Sequence, residues 1–153
     1  MIELRQVYSH ESNRLAMRMG PHLRAADAAE CAAAGQSGYD AIAGSIRASA
    51  LAFGAFEDGE PLGLWGIIPA SMLGDVARVW FLTAEGAERH KKLFLSEARE
   101  FVGFAESQYA RLEAYVHVSY GVCIRWLSRL GFTVGAPIPG LFDGGFCRAT
   151  IGF

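Results

Sequence analysis

Apolar residues recur along this chain with two different periods. Between His90 and Ser107 they lie three or four positions apart, which is the period of an amphipathic helix. Between Arg111 and Val118 they occupy every second position, which is the period of a half-buried strand. Residues 39–49 show the helical period again, with Ile42 at its centre. The chain therefore predicts a mixture of helices and strands.

The segment before residue 50 predicts two helices. Ala25–Ala34 is rich in the best helix former, Gly20-Pro21 precedes it and Gly35 follows it. We expect this helix to begin at the Gly-Pro pair and to end at Gly35. The second predicted helix is the one at residues 39–49, whose apolar face includes Tyr39.

Three strands are predicted next. The apolar runs Leu51–Phe56 and Leu62–Ile68 flank Asp58-Gly59, a pair typical of tight hairpin turns. A third run, Val76–Thr83, contains four consecutive large apolar residues and predicts a strand that is buried on both faces. We expect it to be central in the sheet.

The C-terminal part predicts a helix from about Tyr120 to Leu130, followed by two short strands. One helical face carries the apolar residues, and Gly131 provides a left-handed stop. That face consists of Cys123, Trp126, Leu127 and Leu130. The strands are Thr133–Ala136 and Phe146–Ile151.

Length and composition suit a single α/β domain over residues 1–153, because most domains contain about 100–150 residues. The hydrophobic fraction of 52% argues against disorder. The sequence has neither an apolar run of about 18 residues nor the apolar core of a signal peptide. We therefore expect a cytoplasmic protein without a membrane partner.

The net charge argues against nucleic-acid binding, and the spacing of the cysteines and histidines argues against a metal site. The net charge is −2 and the basic residues are dispersed, which argues against a nucleic-acid partner. Cys31, Cys123 and Cys147 show no paired spacing and are predicted to be small buried groups. The four histidines are also widely separated, so no metal site is predicted.

The order of the elements resembles that of the GNAT superfamily of N-acetyltransferases over nearly the whole chain. In that family a hairpin leads into a central strand, a phosphate-binding turn and a helix, and a later helix ends in Leu-Gly-Phe, as at Leu130-Gly131-Phe132. The resemblance implies a GNAT fold, in which helices flank a central mixed, mostly antiparallel sheet.

The resemblance also implies a binding site for acetyl-CoA. Backbone groups of Phe81, Leu82 and Thr83 would hold the pantetheine. The pyrophosphate would lie against residues 86–91, which are Gly86, Ala87, Glu88, Arg89, His90 and Lys91. This turn departs from the family pattern, since Glu85 replaces Gln or Arg, and Glu88 and His90 replace glycines. The carboxylates would repel a pyrophosphate, while Arg89, Lys91 and Lys92 could offset them.

Candidates for proton transfer lie further along the chain. Many GNAT enzymes carry a tyrosine acid at the position that Leu127 occupies here. Tyr120 and Tyr115 are alternative acids, and His117 is the candidate base by residue type and position. A surface or structural role remains the alternative for each of these side chains.

A narrower resemblance rests on Gly63–Ile67 and Ile124–Phe132, which are similar to blocks in small GNAT-like proteins of tailed phages, some of them internal virion proteins. Two hypotheses follow. The chain is an acyl-CoA-dependent N-acyltransferase that acts on a small-molecule or protein amine. Alternatively, it is a non-catalytic phage or prophage protein that is virion-associated and binds phage structural proteins.

Overall fold

A computed structural model describes residues 1–152 of the chain. Its strands are β1 Ile2–Val7, β2 Leu51–Glu57, β3 Glu60–Pro69, β4 Val76–Thr83, β5 Arg111–His117, β6 Thr133–Pro137 and β7 Phe146–Gly152. Its α-helices are α1 Ser12–Met19, α2 Ala25–Ala33, α3 Gly38–Ala48, α4 Lys91–Gln108 and α5 Gly121–Arg129. Gly20–His22 and Ala87–His90 form short 3-10 turns.

The strands form one mixed sheet in the order β1-β2-β3-β4-β5-β7-β6. The pairings β1–β2, β2–β3, β5–β7 and β6–β7 are antiparallel. β4 pairs with β5 in parallel through Val76–Arg78 and Arg111–Glu113. β4 occupies the middle of the sheet, which confirms its predicted central position.

The chain forms two compact units, which we describe separately. The first contains residues 1–68 and 80–90, and Met19, Ile42 and Leu64 are fully buried in it. The second contains residues 69–79 and the chain from residue 91 onward. Among its fully buried side chains are Leu112 and Val116.

The first unit contains the predicted hairpin. Glu57 pairs with Glu60, and the two residues between them have positive φ angles, 51° at Asp58 and 86° at Gly59. This is the backbone conformation that an Asp-Gly pair favours in a two-residue turn. The hairpin prediction is confirmed.

The sequence missed one helix of the first unit and misplaced the start of another. Helix α1 at Ser12–Met19 was not predicted, because its polar face dominates the local composition. The start of α2 was placed too early: Gly20–His22 forms a separate 3-10 turn, and α2 begins at Ala25. Pro21 suits the first positions of that short turn as well as it suits those of an α-helix.

One strand and two single residues are less buried than predicted. β4 is not buried on both faces, because Arg78 is exposed and Trp80–Thr83 are only partly covered. Tyr39 is exposed, and its hydroxyl donates a hydrogen bond to Asn13. Cys123 is half-buried, since it lies at the border of a helix face whose buried members are Leu127 and Leu130.

The second unit confirms the remaining predicted elements. Burial in β5 alternates at every residue, as the period predicts. In α4 the buried side chains are Ala98, Phe101, Val102 and Ala105. Helix α5 ends before Gly131, whose φ angle of +102° makes it the predicted left-handed stop.

Gly131 has a left-handed backbone conformation and Gly103 lies within a helix, so replacing each by alanine tests the assigned helix stop. Gly131→Ala should destabilise the protein by about 1–2 kcal/mol, because a Cβ disfavours the left-handed conformation. Gly103→Ala is the matched control, since Gly103 lies within α4 and a methyl group added there would meet no atom within 4 Å. That change should stabilise the protein by about 0.5–1 kcal/mol. Urea unfolding measures both, and equal effects would contradict the assigned helix stop.

Candidate active site

The backbone N–H groups of the turn after β4 donate hydrogen bonds to other residues of the first unit. Five consecutive amides, from Thr83 to Ala87, donate to acceptors of the protein itself. The acceptors, in order, are the Asp27 carboxylate, the Leu62 carbonyl, the His22 carbonyl, the Glu88 carboxylate and the Ala84 carbonyl. The segment that the resemblance assigns to acetyl-CoA is therefore internally hydrogen-bonded.

Asp27 is the buried carboxylate of this region. Its Oδ2 accepts from the Thr83 amide at 2.9 Å and also from the Thr83 hydroxyl. Arg24 lies 3.6 Å from its other oxygen. The side chain is 10% exposed, so these partners supply what water would otherwise provide. Asp27 thus ties helix α2 to the end of β4.

The connection between α1 and α2 also pairs with the end of β4. The Arg24 amide donates to the Thr83 carbonyl at 2.9 Å, and the Glu85 amide donates to the His22 carbonyl at 2.8 Å. Leu23 and Ala84 form an antiparallel bridge between these hydrogen bonds. Residues 22–24 therefore act as a short extra strand along this part of β4.

Glu88 provides the second internal carboxylate. Its Oε2 accepts from the Gly86 amide at 3.2 Å, and Gly86 has the left-handed φ angle of +95°. The Gly86 amide thus donates to a carboxylate of the protein itself. The residues present fit a phosphate group chemically, but Glu88 already occupies the Gly86 donor.

Some of the basic residues in and after the turn contact a carboxylate of the protein. Arg89 and His90 both contact the Glu57 carboxylate, at 2.8 and 2.9 Å. The hydrogen bond from His90, followed by the charge of Arg89, holds the pKa of Glu57 below its ordinary value. Lys91 is exposed at the start of α4. Of the predicted phosphate-binding cations, Lys91 and Lys92 thus have exposed side chains without an assigned ion pair.

A groove of about 540 Å³ lies on the first unit beside this turn. Glu57, Glu60 and Glu85 contribute its carboxylates. Arg18 neutralises Glu60 in an ion pair, and Arg89 pairs with Glu57. The groove is therefore less negative than its three carboxylates suggest.

His117, the predicted base, lies at the end of β5 in the second unit. Its Nδ1 is 2.7 Å from the Ser119 hydroxyl and accepts from the Ser119 amide at 3.2 Å. Its Nε2 is 2.9 Å from Asp143 Oδ2. An amide N–H can only donate, so Nδ1 carries the lone pair and the proton resides on Nε2, which donates to Asp143.

Aromatic rings and a glycine fix the imidazole of His117. Phe146 meets it edge-on at a centroid distance of 5.1 Å, and Tyr120 lies at 5.6 Å. A Cβ at Gly145 would lie 2.4 Å from His117 Nε2. Only glycine at position 145 leaves room for this ring position. Tyr120 immediately precedes α5, as predicted.

Asp143 is held by two donors. The Gly145 amide donates to its Oδ1 at 2.9 Å, and His117 donates to its Oδ2. The Gly145 hydrogen bond and then that of His117 lower the pKa of Asp143. The carboxylate is thus charged near neutral pH and orients the imidazole.

The structure separates the predicted site residues between the two units. Phe81–Thr83 and Gly86–His90 belong to the first, whereas Lys91, His117 and Tyr120 belong to the second. The alternative acid Tyr115 accepts a hydrogen bond from Arg148 at 3.3 Å.

The sequence analysis missed Asp27, Ser119 and Asp143. Ser119 could have been noticed two positions after His117. Asp27 and Asp143 carry no sequence signal, because each is far along the chain from its partner.

Residues 1–152 contain neither a candidate metal cluster nor a helix that could span a membrane. Within residues 1–152, no three His, Cys, Asp or Glu side chains are arranged to hold a metal ion. None of the helices described in that range is long and apolar enough to cross a membrane.

Comparisons with solved structures identify the fold. The GNAT domain of S. lividans PAT matches with a TM-score of 0.70 and 16% identity, over 99% of this chain and 90% of that chain. A GNAT-family acetyltransferase from Streptococcus pneumoniae matches with a TM-score of 0.66 and 14% identity, over 99% and 98%. The aminoglycoside acetyltransferase AAC(6')-Ib in complex with coenzyme A gives 0.64 and 16%, over 99% and 95%.

The chain therefore has the GNAT fold, as the order of its elements predicted. Its sequence matches no protein-family model and no curated protein. The structures described above include no phage protein, so nothing in them supports the narrower phage resemblance.

The lowered pKa of Asp143 predicts a pH dependence. His117→Ala should raise this pKa towards its ordinary value, but incompletely, because the Gly145 amide remains. A folded-state pKa below the unfolded one contributes stability above the unfolded pKa and loses it as pH falls through the folded pKa. The stability difference between the wild type and Asp143→Asn should therefore vanish in acid. Carboxyl NMR titration and urea unfolding at several pH values measure these effects, and an unchanged Asp143 titration in His117→Ala would contradict the contact.

Proposed function

We propose that this chain is an acyl-CoA-dependent N-acyltransferase that acts on an amine. The observation that carries the proposal is the GNAT fold, which spans 99% of the chain in the matches to acetyltransferase structures. Fold alone does not determine function, so the argument also depends on the individual residues.

The turn after β4 supports the binding of an anionic cofactor. Gly86 and Thr83 already use their amides to bind carboxylate oxygens, of Glu88 and Asp27. In the proposal, phosphate oxygens of acyl-CoA take over the Gly86 amide from Glu88. The cofactor would supply the activated acyl group.

The proton chemistry is assigned to the second unit. The Nδ1 atom of His117 lies in an acceptor position, and in the proposal it takes a proton from an ammonium group while Asp143 stabilises the charge that forms. Tyr120 is assigned the opposite task, protonation of the leaving thiolate. The acyl acceptor is a small-molecule or protein amine. The small-molecule class has a parallel in AAC(6')-Ib, which has been crystallised with ribostamycin and with kanamycin.

One observation favours a second candidate, a non-catalytic protein that keeps the scaffold. Five consecutive amides at the expected cofactor site are satisfied by the protein itself. A scaffold that binds no cofactor would be stabilised by such an arrangement. A phage or prophage assembly protein, binding phage structural proteins, is one form of this candidate and rests on the sequence resemblance alone.

Calorimetric titration with acetyl-CoA distinguishes the two candidates. The enzyme proposal predicts saturable heat at or below millimolar ligand, together with release of free CoA when a polyamine or an aminoglycoside is added. Desulfo-CoA serves as the non-acylating control and should bind without release. The absence of both heat and thermal stabilisation at millimolar ligand would overturn the enzyme proposal.

Glu88 and Glu85 form a matched pair for a sharper test. Glu88→Ala removes a charge and frees the Gly86 amide, whereas Glu85→Ala removes a charge from an exposed side chain with no bond to a turn amide. Acetyl-CoA affinity should rise about threefold to tenfold in Glu88→Ala, as expected for one hydrogen bond to an ionised partner. Glu85→Ala should give a smaller gain that disappears in high salt. Equal gains would show that the Gly86 amide does not bind the phosphate.

A further inference from the structure

The second unit contains a chain of three polar side chains that amine acylation does not require in full. Ser119 Oγ, His117 and Asp143 are connected by hydrogen bonds of 2.7 and 2.9 Å. The Gly145 amide fixes the outer carboxylate at 2.9 Å. A hydroxyl, an imidazole and an oriented carboxylate in this order can activate a serine as a nucleophile. Here the serine lies on Nδ1 and the carboxylate on Nε2, the reverse of the familiar serine triad.

The direction of the hydrogen bonds supports that role for Ser119. Because the backbone N–H of Ser119 points at Nδ1, this nitrogen carries the lone pair and the serine hydroxyl donates to it. Asp143 accepts from Nε2 and can stabilise the imidazolium that forms when the serine proton moves. Ser119 is exposed, so an acyl compound can reach its oxygen.

We propose that Ser119 is an acylatable nucleophile and that the second unit hydrolyses small activated acyl esters and thioesters without a bound cofactor. This activity is separate from the proposed amine acylation, although both use His117. The amine reaction needs an acyl-CoA site, whereas ester hydrolysis needs only Ser119, His117, Asp143 and water.

The reaction balances in two steps. Ser119 Oγ bonds to the acyl carbon while His117 Nδ1 takes the hydroxyl proton, and that proton leaves with the alcohol or thiol as its bond to the acyl carbon breaks. Water then attacks the acyl-serine and gives a proton to Nδ1. The bond between Ser119 Oγ and the acyl carbon breaks, the proton returns to Ser119, and a carboxylic acid is released.

The position of Ser119 also suits the negative charge that develops on the acyl oxygen. Helix α5 begins at Gly121, two residues after Ser119. The first turn of a helix presents backbone N–H groups and the positive end of the helix dipole, which stabilise an oxyanion.

The test uses the full chain with p-nitrophenyl acetate and no CoA. Wild-type protein should release nitrophenol above the buffer rate and should show one added acetyl group on Ser119 by peptide mass spectrometry after a rapid acid quench. Ser119→Ala should lose the acetylated peptide and slow turnover about 100-fold. Ser128→Ala is the matched control, because Ser128 is an exposed serine of the same unit that bonds only a helix carbonyl.

A second variant keeps all three side chains and disturbs only their geometry. Gly145→Ala places a Cβ at 2.4 Å from the present position of His117 Nε2, so the imidazole cannot keep the position in which it bonds Asp143. Turnover and Ser119 acetylation should fall as in Asp143→Asn. Gly103→Ala has no neighbour within 4 Å and should keep wild-type rates.

The outcomes separate this proposal from the acyltransferase. Ester hydrolysis that depends on Ser119 supports it whether or not acetyl-CoA binds. Turnover at the buffer rate, acetylation elsewhere on the chain, or full activity in Ser119→Ala would overturn it, with circular dichroism confirming that the variant is folded. None of these results decides whether the chain acylates amines.

Discussion

The backbone amides at the end of β4 impose the constraint on which the first unit depends. An N–H group buried without a partner costs about 1–3 kcal/mol, and three of the five amides belong to the buried residues Ala84, Gly86 and Ala87. The protein provides acceptors for all five from the β3 strand, from the connection between α1 and α2, from within the turn and from two carboxylates. This requirement places residues 22–24 along β4 and gives the turn its shape.

In both units a carboxylate accepts hydrogen bonds from nearby N–H groups, but the groups that it holds differ. In the first unit, Asp27 and Glu88 accept from backbone amides and keep these donors from other anions. In the second, Asp143 accepts from His117 and leaves the lone pair of Nδ1 directed at Ser119. A carboxylate thus accepts from backbone amides in one unit and orients an imidazole in the other.

The sequence predicted most of the fold because its hydrophobic periods are strong. The hairpin at Asp58-Gly59, the alternation in β5 and the stop at Gly131 all depend on neighbouring residues. Helix α1 escaped prediction, since its polar residues mask its apolar stripe. The departure from the GNAT pattern at Glu88 and His90, where that pattern has glycines, was also visible in the sequence. The partner of the Gly86 amide was not, because it depends on a side-chain orientation.

The candidate site was predictable only by residue type. His117 stood out as a histidine on the polar face of a strand, but its partner Asp143 lies 26 residues away. The link between Asp27 and Thr83 spans 56 residues. Such pairs are brought together by the topology of the sheet, so neither spacing nor composition reveals them.

The two hydrogen bonds that Asp27 accepts from Thr83, one from the amide and one from the hydroxyl, have a consequence for the motions of helix α2. This helix is rich in alanine, and its buried side chains are Asp27 and Cys31. Residues 22–24 attach its N-terminal side by backbone hydrogen bonds, and Asp27 adds the contact from within the helix. A molecule that took the Thr83 amide from Asp27 would weaken that second contact. Binding at the strand end and local opening of α2 would then be thermodynamically linked, and the amide protons of a helix would report on a site made by a strand.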